Sequence, residues 1–67
     1  MAKIQLNGRK LELTNKYSIV TLLKKYKIDS KKIAIELNGQ IINRNKYRYT
    51  YLKNKDKIEI VHFIGGG

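Results

Sequence analysis

The sequence contains no cysteine and no proline, and its only histidine is His62. Without cysteine the chain can form neither a disulfide nor a thiolate metal site, and the absence fits a reducing compartment. Without proline nothing marks a linker between domains. A chain of 67 residues therefore predicts one small domain.

Long apolar runs are also absent. No stretch approaches the ~20 apolar residues that span a bilayer. Residues 1–5 alternate in polarity and are too few for a signal peptide. These absences predict a soluble, cytoplasmic protein that does not use a membrane as a partner.

Acidic residues are scarce: the sequence has five of them against 15 Lys and Arg, which gives a net charge of +10. Such a balance suits nucleic acid, an anionic membrane or an acidic protein partner. The favoured interpretation is compositional, because Lys, Ile and Asn are all abundant, as in proteins from AT-rich genomes, and the cations are spread along the chain. A basic face that docks a protein comes second, and direct binding of nucleic acid third.

Groups that perform catalysis are nearly missing. The sequence has five carboxylates and one imidazole. It shows no Ser-His-Asp order, no pair of carboxylates suited to acid–base catalysis, no zinc-ligand spacing and no nucleotide-binding glycine loop. We predict that the protein is not an enzyme and holds no metal, and that His62 has a structural or interface role.

The first half of the chain predicts a β-hairpin followed by a helix. Residues 3–14 alternate around Asn7-Gly8, a strong signal for a two-residue type I′ turn. Ser18 is a candidate N-cap for a helix over residues 19–27. That helix is too short to be stable alone in water, so its apolar stripe should pack across the hairpin. Its members are Ile19, Leu22, Leu23 and Tyr26.

The second half predicts more strands. Ile33, Ile35 and Leu37 alternate with other side chains up to a second corner at Asn38-Gly39. A short strand at Tyr49–Leu52 and a final strand over residues 57–64 follow. The order of elements predicts an α+β domain, a mixed sheet that curls over one helix.

The final strand allows two interpretations. Ile58 and Ile60 share one face, whereas Val61 and Phe63 share the other, so the second half of the strand is apolar on both sides. Either it is the central strand of the sheet, or Val61 and Phe63 form an exposed docking patch.

Residues 46–53 interleave tyrosines with cations. Stacking platforms for single-stranded nucleic acid have this composition. The favoured explanation is plainer: the period-two spacing puts Tyr47, Tyr49 and Tyr51 on one face of a strand or loop, and that face packs on the domain.

Three glycines, residues 65–67, end the sequence directly after an apolar strand. They have no side chains to pack, so they form either a disordered end or a slender arm. In the second case the Gly67 carboxylate is the reactive group, which a partner enzyme would activate with ATP. Val61, Phe63 and nearby basic residues would then supply the docking energy.

Three features of the chain occur together: the string Ile-Glu-Ile-Val-His-Phe-Ile-Gly-Gly-Gly over residues 58–67, the Leu6-Asn7-Gly8 turn and the chain length. In these features the chain resembles the ThiS family, the sulfur carriers of bacterial thiamine biosynthesis. The resemblance implies a ubiquitin-like β-grasp fold, a mixed sheet of four to five strands packed on one helix. It also implies that the last strand is central, beside the first. Residues 1–64 would be the single domain and 65–67 a flexible tail.

The resemblance implies a reaction as well. A ThiF-like adenylyltransferase adenylates Gly67 with ATP, and a cysteine desulfurase system supplies sulfur for a thiocarboxylate. A ThiG-like thiazole synthase then takes the sulfur. The protein itself binds no cofactor and is a recycled co-substrate. Gly66 is the family's penultimate glycine, whereas Gly65 matches only part of the family. Both would enter partner active sites, with docking by Val61, Phe63 and Ile64.

Two alternatives remain at this point. The small subunit of molybdopterin synthase uses the same tail chemistry, but that group tends to be longer and often has prolines before its glycines. Outside this chemistry, the competing class is a small basic nucleic-acid-binding module.

Overall fold

Strands, one helix and two 3-10 turns follow one another in the computed structural model, which describes residues 2–63. The predictions for Ile64 and for Gly65 to Gly67 lie outside the described residues. The elements are β1 (Ala2–Leu6), β2 (Arg9–Leu13), α1 (Ile19–Lys25), a 3-10 turn (Ser30–Lys32), β3 (Ile33–Leu37), β4 (Gln40–Ile42), a second 3-10 turn (Arg44–Lys46) and β5 (Lys57–His62).

The strands form one mixed sheet in the order β2-β1-β5-β3-β4. β5 lies parallel to β1, with Leu6 beside Ile58, and antiparallel to β3, with Ile35 beside Ile60. The last described strand is therefore central and adjacent to the first. This confirms the β-grasp arrangement, a five-stranded mixed sheet on one helix.

The type I′ conformation predicted for Asn7-Gly8 is present, and the second corner adopts it as well. Asn7 and Gly8 have φ of 50° and 81°, and Asn38 and Gly39 have φ of 52° and 87°. A type I′ turn needs positive φ at both central residues, which Asn and Gly adopt more readily than other residues. The sequence triplet Leu-Asn-Gly thus marks two equivalent turns.

Helix α1 begins as predicted but ends earlier. The Ser18 side chain accepts a hydrogen bond from the N–H of Thr21. At the other end, Lys27 has a φ of 55°. The N–H of Lys27 donates to the carbonyl of Lys24 at 3.1 Å, and that of Ile28 to the carbonyl of Leu23 at 2.9 Å. This pair of bonds is a Schellman motif, which stops the helix at Lys25, two residues before the predicted end.

The core lies between α1 and the inner face of the sheet. The segment between β4 and β5 closes one side of it, because Tyr47 and Leu52 are buried there. The buried apolar residues are Ile4, Leu13, Ile19, Leu22, Leu23, Ile33, Ile35, Tyr47, Leu52, Ile58 and Ile60.

The predicted strand at Tyr49–Leu52 is wrong. Only an isolated bridge joins Tyr51 to Ser18 there. The preceding 3-10 turn continues into a further turn, in which the N–H of Tyr49 donates to the carbonyl of Lys46. This winding breaks the period-two alternation. Tyr47 is 3% exposed, whereas Tyr49 and Tyr51 are 74% and 53% exposed, so the three rings do not share one face on the domain.

Within residues 2–63, no helix has the length and apolar character needed to cross a membrane.

Candidate docking surface at the end of the central strand

β5 presents two different faces. Ile58 and Ile60 point into the core and are 0% and 6% exposed, whereas Val61 and Phe63 are 59% and 60% exposed. Successive side chains of a strand point to opposite faces, which accounts for the difference. The strand is therefore central, and the outer side of its end is open to solvent. Docking by Val61 and Phe63 stays a prediction.

The exposed end of β5 continues onto its neighbour. Ala34 of β3 lies directly beside Val61 in the register of the sheet. We call Ala34, Val61 and Phe63 the apolar strip. Towards the start of β5, the strip ends at Glu59, which lies opposite Glu36. An apolar surface with a polar border is the common form of a protein docking site.

Three sets of contacts fix the path of β5. The carboxamide of Asn7 bonds the backbone of Ile60, and the side-chain Oδ1 of Asn38 accepts the N–H of Lys57 at 2.8 Å. At the far end, the N–H of Phe63 donates to the carbonyl of Lys32 at 2.9 Å. The chain therefore leaves the sheet in a defined direction. The sequence pattern places the two asparagines only in turns, and no local signal specifies this further role.

Few side chains around this strand could take part in catalysis or bind a metal ion. His62 is exposed and pairs with Ile33 in the ladder between β5 and β3. Among residues 2–63, no three His, Cys, Asp or Glu side chains are placed to hold a metal ion. Burial raises the pKa of the Tyr47 phenol, although the nearby Arg44 charge and a hydrogen bond with the backbone of Ile35 act in the opposite direction. Tyr47 therefore stays neutral at physiological pH and serves as a core residue.

The structure exposes two of the predicted docking residues, Val61 and Phe63, at the end of β5. The third, Ile64, lies outside the described residues. So do Gly65, Gly66 and Gly67, and their roles stay predictions.

Comparisons with known proteins agree with the fold. The sequence model of the ThiS family matches residues 4–67. The sulfur carrier protein ThiS of Bacillus subtilis is 38% identical over 65 residues, which cover 96% of this chain and 98% of that protein. A crystal structure of the thiamine biosynthesis protein ThiS from Geobacter metallireducens superposes with a TM-score of 0.83 at 26% identity, covering 97% of this chain and 99% of that one.

A thiazole synthase from Paramagnetospirillum magneticum is 35% identical to this chain over 65 residues. The match covers 97% of this chain but 20% of the synthase. The chain thus spans about a fifth of the length of that relative.

Proposed function

Because the chain belongs to the ThiS family, we propose that it carries sulfur as a thiocarboxylate on Gly67 for thiazole formation in thiamine biosynthesis. In this role the chain is a co-substrate of its partner enzymes and not itself a catalyst. The named relatives belong to thiamine biosynthesis, so we prefer this pathway to that of the molybdopterin synthase small subunit.

The observation that carries the proposal is the apolar strip. Val61 and Phe63 are exposed on the central strand, a few residues before the glycines. Holding a glycine arm in an active site costs about 1–2 kcal/mol per ordered residue. The folded domain must offset that cost by docking, and exposed apolar side chains beside the arm are suited to do so.

The Gly67 carboxylate is the one group of this chain that reacts. One carboxylate oxygen attacks the α-phosphorus of ATP in a ThiF-like adenylyltransferase, and pyrophosphate leaves. The outer sulfur of a persulfide on the cysteine desulfurase system then attacks the acyl carbon, and AMP leaves. A second thiol cleaves the resulting acyl disulfide: it forms a disulfide with the persulfide's inner sulfur and releases the Gly67 thiocarboxylate. A ThiG-like thiazole synthase takes the sulfur, and an oxygen atom from the acceptor or from water restores the carboxylate. The carrier binds no cofactor of its own, and this cycle runs in the cytoplasm.

Glycines suit the arm for a steric reason. Residues without Cβ atoms let the backbone approach a phosphate closely and pass through a narrow channel. Extended at about 3.3–3.6 Å per residue, Gly65, Gly66 and Gly67 would reach roughly 10 Å beyond Ile64.

The test is an intact-mass measurement. The purified chain is incubated with the adenylyltransferase, MgATP and a sulfur source. Exchange of one carboxylate oxygen for sulfur adds about 16 Da. A chain lacking Gly66 and Gly67, and a chain with Gly67 amidated, should fold as the parent does by circular dichroism and gain no mass. Delivery of sulfur by either variant would overturn the proposal.

A further inference from the structure

The fold separates charges that are mixed along the sequence. The segments that cover the inner face of the sheet, residues 14–32 and 43–53, form what we call the helix–crossover layer. It holds ten of the 15 basic residues and one acidic residue, Asp29, whereas the five strands hold four basic and three acidic residues. All ten cations of the layer are exposed: Lys16, Lys24, Lys25, Lys27, Lys31, Lys32, Arg44, Lys46, Arg48 and Lys53.

This separation leaves the sheet almost neutral and gives the opposite side nearly the whole net charge of +10. Asp29 offers little compensation, because its one negative charge stands against the ten positive charges of the layer. A field of one sign on one side of a small protein orients it as it approaches a partner of opposite charge.

The layer contains an open groove of about 710 Å³, which lies between the start of α1 and the second 3-10 turn. Arg44, Arg48 and Tyr49 line it, together with Asn45 and Ser30. None of its described lining residues is acidic. Arginine presents a planar fork of donors that fits a carboxylate with two parallel hydrogen bonds.

The groove lies near the place where the chain leaves β5. Ser30 lines the groove, and the backbone carbonyl of Lys32, two residues further on, accepts the N–H of Phe63. An enzyme that grips the arm beyond Phe63 therefore has this groove within reach of its surface.

The composition of the groove favours a protein over a nucleic acid. A stacking track needs successive exposed rings, and the burial of Tyr47 leaves only Tyr49 and Tyr51 exposed in this segment. Tyrosine and arginine are also the residues most enriched at the energetic centres of protein interfaces.

We propose that Arg44, Arg48 and Tyr49 form a second docking site, which binds a carboxylate-bearing surface of the enzyme that adenylates Gly67. The proposal rests on the proposed function. The second site acts together with the apolar strip: the strip supplies contact area, and the groove orients the carrier and speeds its encounter with the enzyme.

The experiment compares two double charge reversals in the adenylation reaction. Arg44→Glu with Arg48→Glu changes the groove. Lys3→Glu with Lys10→Glu changes the net charge equally, at the outer side of the sheet. The parallel register places Lys3 six residues before Val61 along the sheet, roughly 20 Å away at ~3.3 Å per residue. All four side chains are exposed, so both variants should fold.

We expect the groove variant to raise the KM of the adenylyltransferase for the carrier about tenfold at low salt, with kcat changed less than about twofold. The KM of the parent should rise with ionic strength, and that of the groove variant should not. The neutral pair Arg44→Gln with Arg48→Gln should give an intermediate KM.

Equal KM values for the groove variant and the parent would overturn the proposal, and so would equal effects of the two double variants, which would show a response to net charge alone. Retention of the parent on a single-stranded oligo(dT) column at physiological salt, lost in the groove variant while the KM is unchanged, would overturn it in favour of nucleic acid. Failure of the parent itself to gain mass would count against the thiocarboxylate proposal instead.

Discussion

The side chain of Asn7 pairs with the backbone of Ile60 as a peptide group would. Its Oδ1 accepts the N–H of Ile60 at 2.7 Å, and its Nδ2 donates to the carbonyl of Ile60 at 3.2 Å. The N–H of Asn7 itself donates to the carbonyl of Ile58 at 3.0 Å. Strand β1 turns away at this point, so the carboxamide continues the parallel ladder for one more step along β5.

Asn7→Asp should lower the free energy of unfolding by about 1–3 kcal/mol. The carboxylate keeps the acceptor and tolerates the positive φ, but it loses the donor and places negative charge beside the carbonyl of Ile60. Asn15→Asp in the exposed connector before α1 makes the same change in net charge. Urea unfolding of both variants measures the difference, and equal stabilities would contradict the role of the carboxamide.

Lys27→Gly should raise the free energy of unfolding by about 1 kcal/mol, because the left-handed conformation costs an L-residue roughly that much and costs glycine little. Lys27 holds this conformation at the end of α1. Lys24→Gly, inside the helix, should lower stability by about 1 kcal/mol. Thermal unfolding distinguishes the two, and destabilisation by both variants would refute the assignment.

Phe63→Ala should weaken binding of the adenylyltransferase about tenfold or more, as removal of an exposed aromatic anchor does. Its effect on stability should stay within about 0.5 kcal/mol, since the ring is 60% exposed. Tyr26→Ala removes an exposed ring from the end of the helix, on the other side of the molecule, and should leave binding unchanged. Titration calorimetry gives the two affinities. A loss of stability as large as the loss of binding energy would contradict a docking role for Phe63.

Tyr47→Phe should change how stability depends on pH. Burial raises the pKa of the Tyr47 phenol above its ordinary value of 10.0 in the folded chain. The folded state therefore keeps its proton more tightly than the unfolded state does. The resulting stability is present below pH 10 and is lost as pH rises through the folded pKa. Urea unfolding between pH 8 and 11 should show a shallower decline for Tyr47→Phe than for the parent, and parallel curves would refute this.

Local signals predicted most of the elements. The Asn7-Gly8 and Asn38-Gly39 pairs mark both hairpins, and Ser18 marks the start of α1, because each of these effects operates within a few residues. The end of α1 was placed two residues too late, since no residue type announces that Lys27 adopts a left-handed conformation.

Effects that depend on distant contacts were not predictable. The alternation of Tyr47, Tyr49 and Tyr51 indicated one face, but burial of Tyr47 in the core and the turn after it override the pattern. The pairing of Asn7 with Ile60 joins residues 53 positions apart, and nothing in either neighbourhood specifies it. The grouping of cations on one layer likewise depends on which segments cover the sheet.

The central position of β5 has a consequence for synthesis of the protein. β5 joins β1 to β3, and it is the last strand of the described chain to leave the ribosome. Until it emerges, the hairpin of β1 and β2 has no sheet neighbour on its inner edge, and neither does the hairpin of β3 and β4. A nascent chain therefore cannot complete its sheet, or display the proposed docking surface of Val61 and Phe63, until β5 has emerged from the ribosome. In the proposed sulfur-transfer cycle, partner enzymes would therefore meet only chains whose sheet is complete.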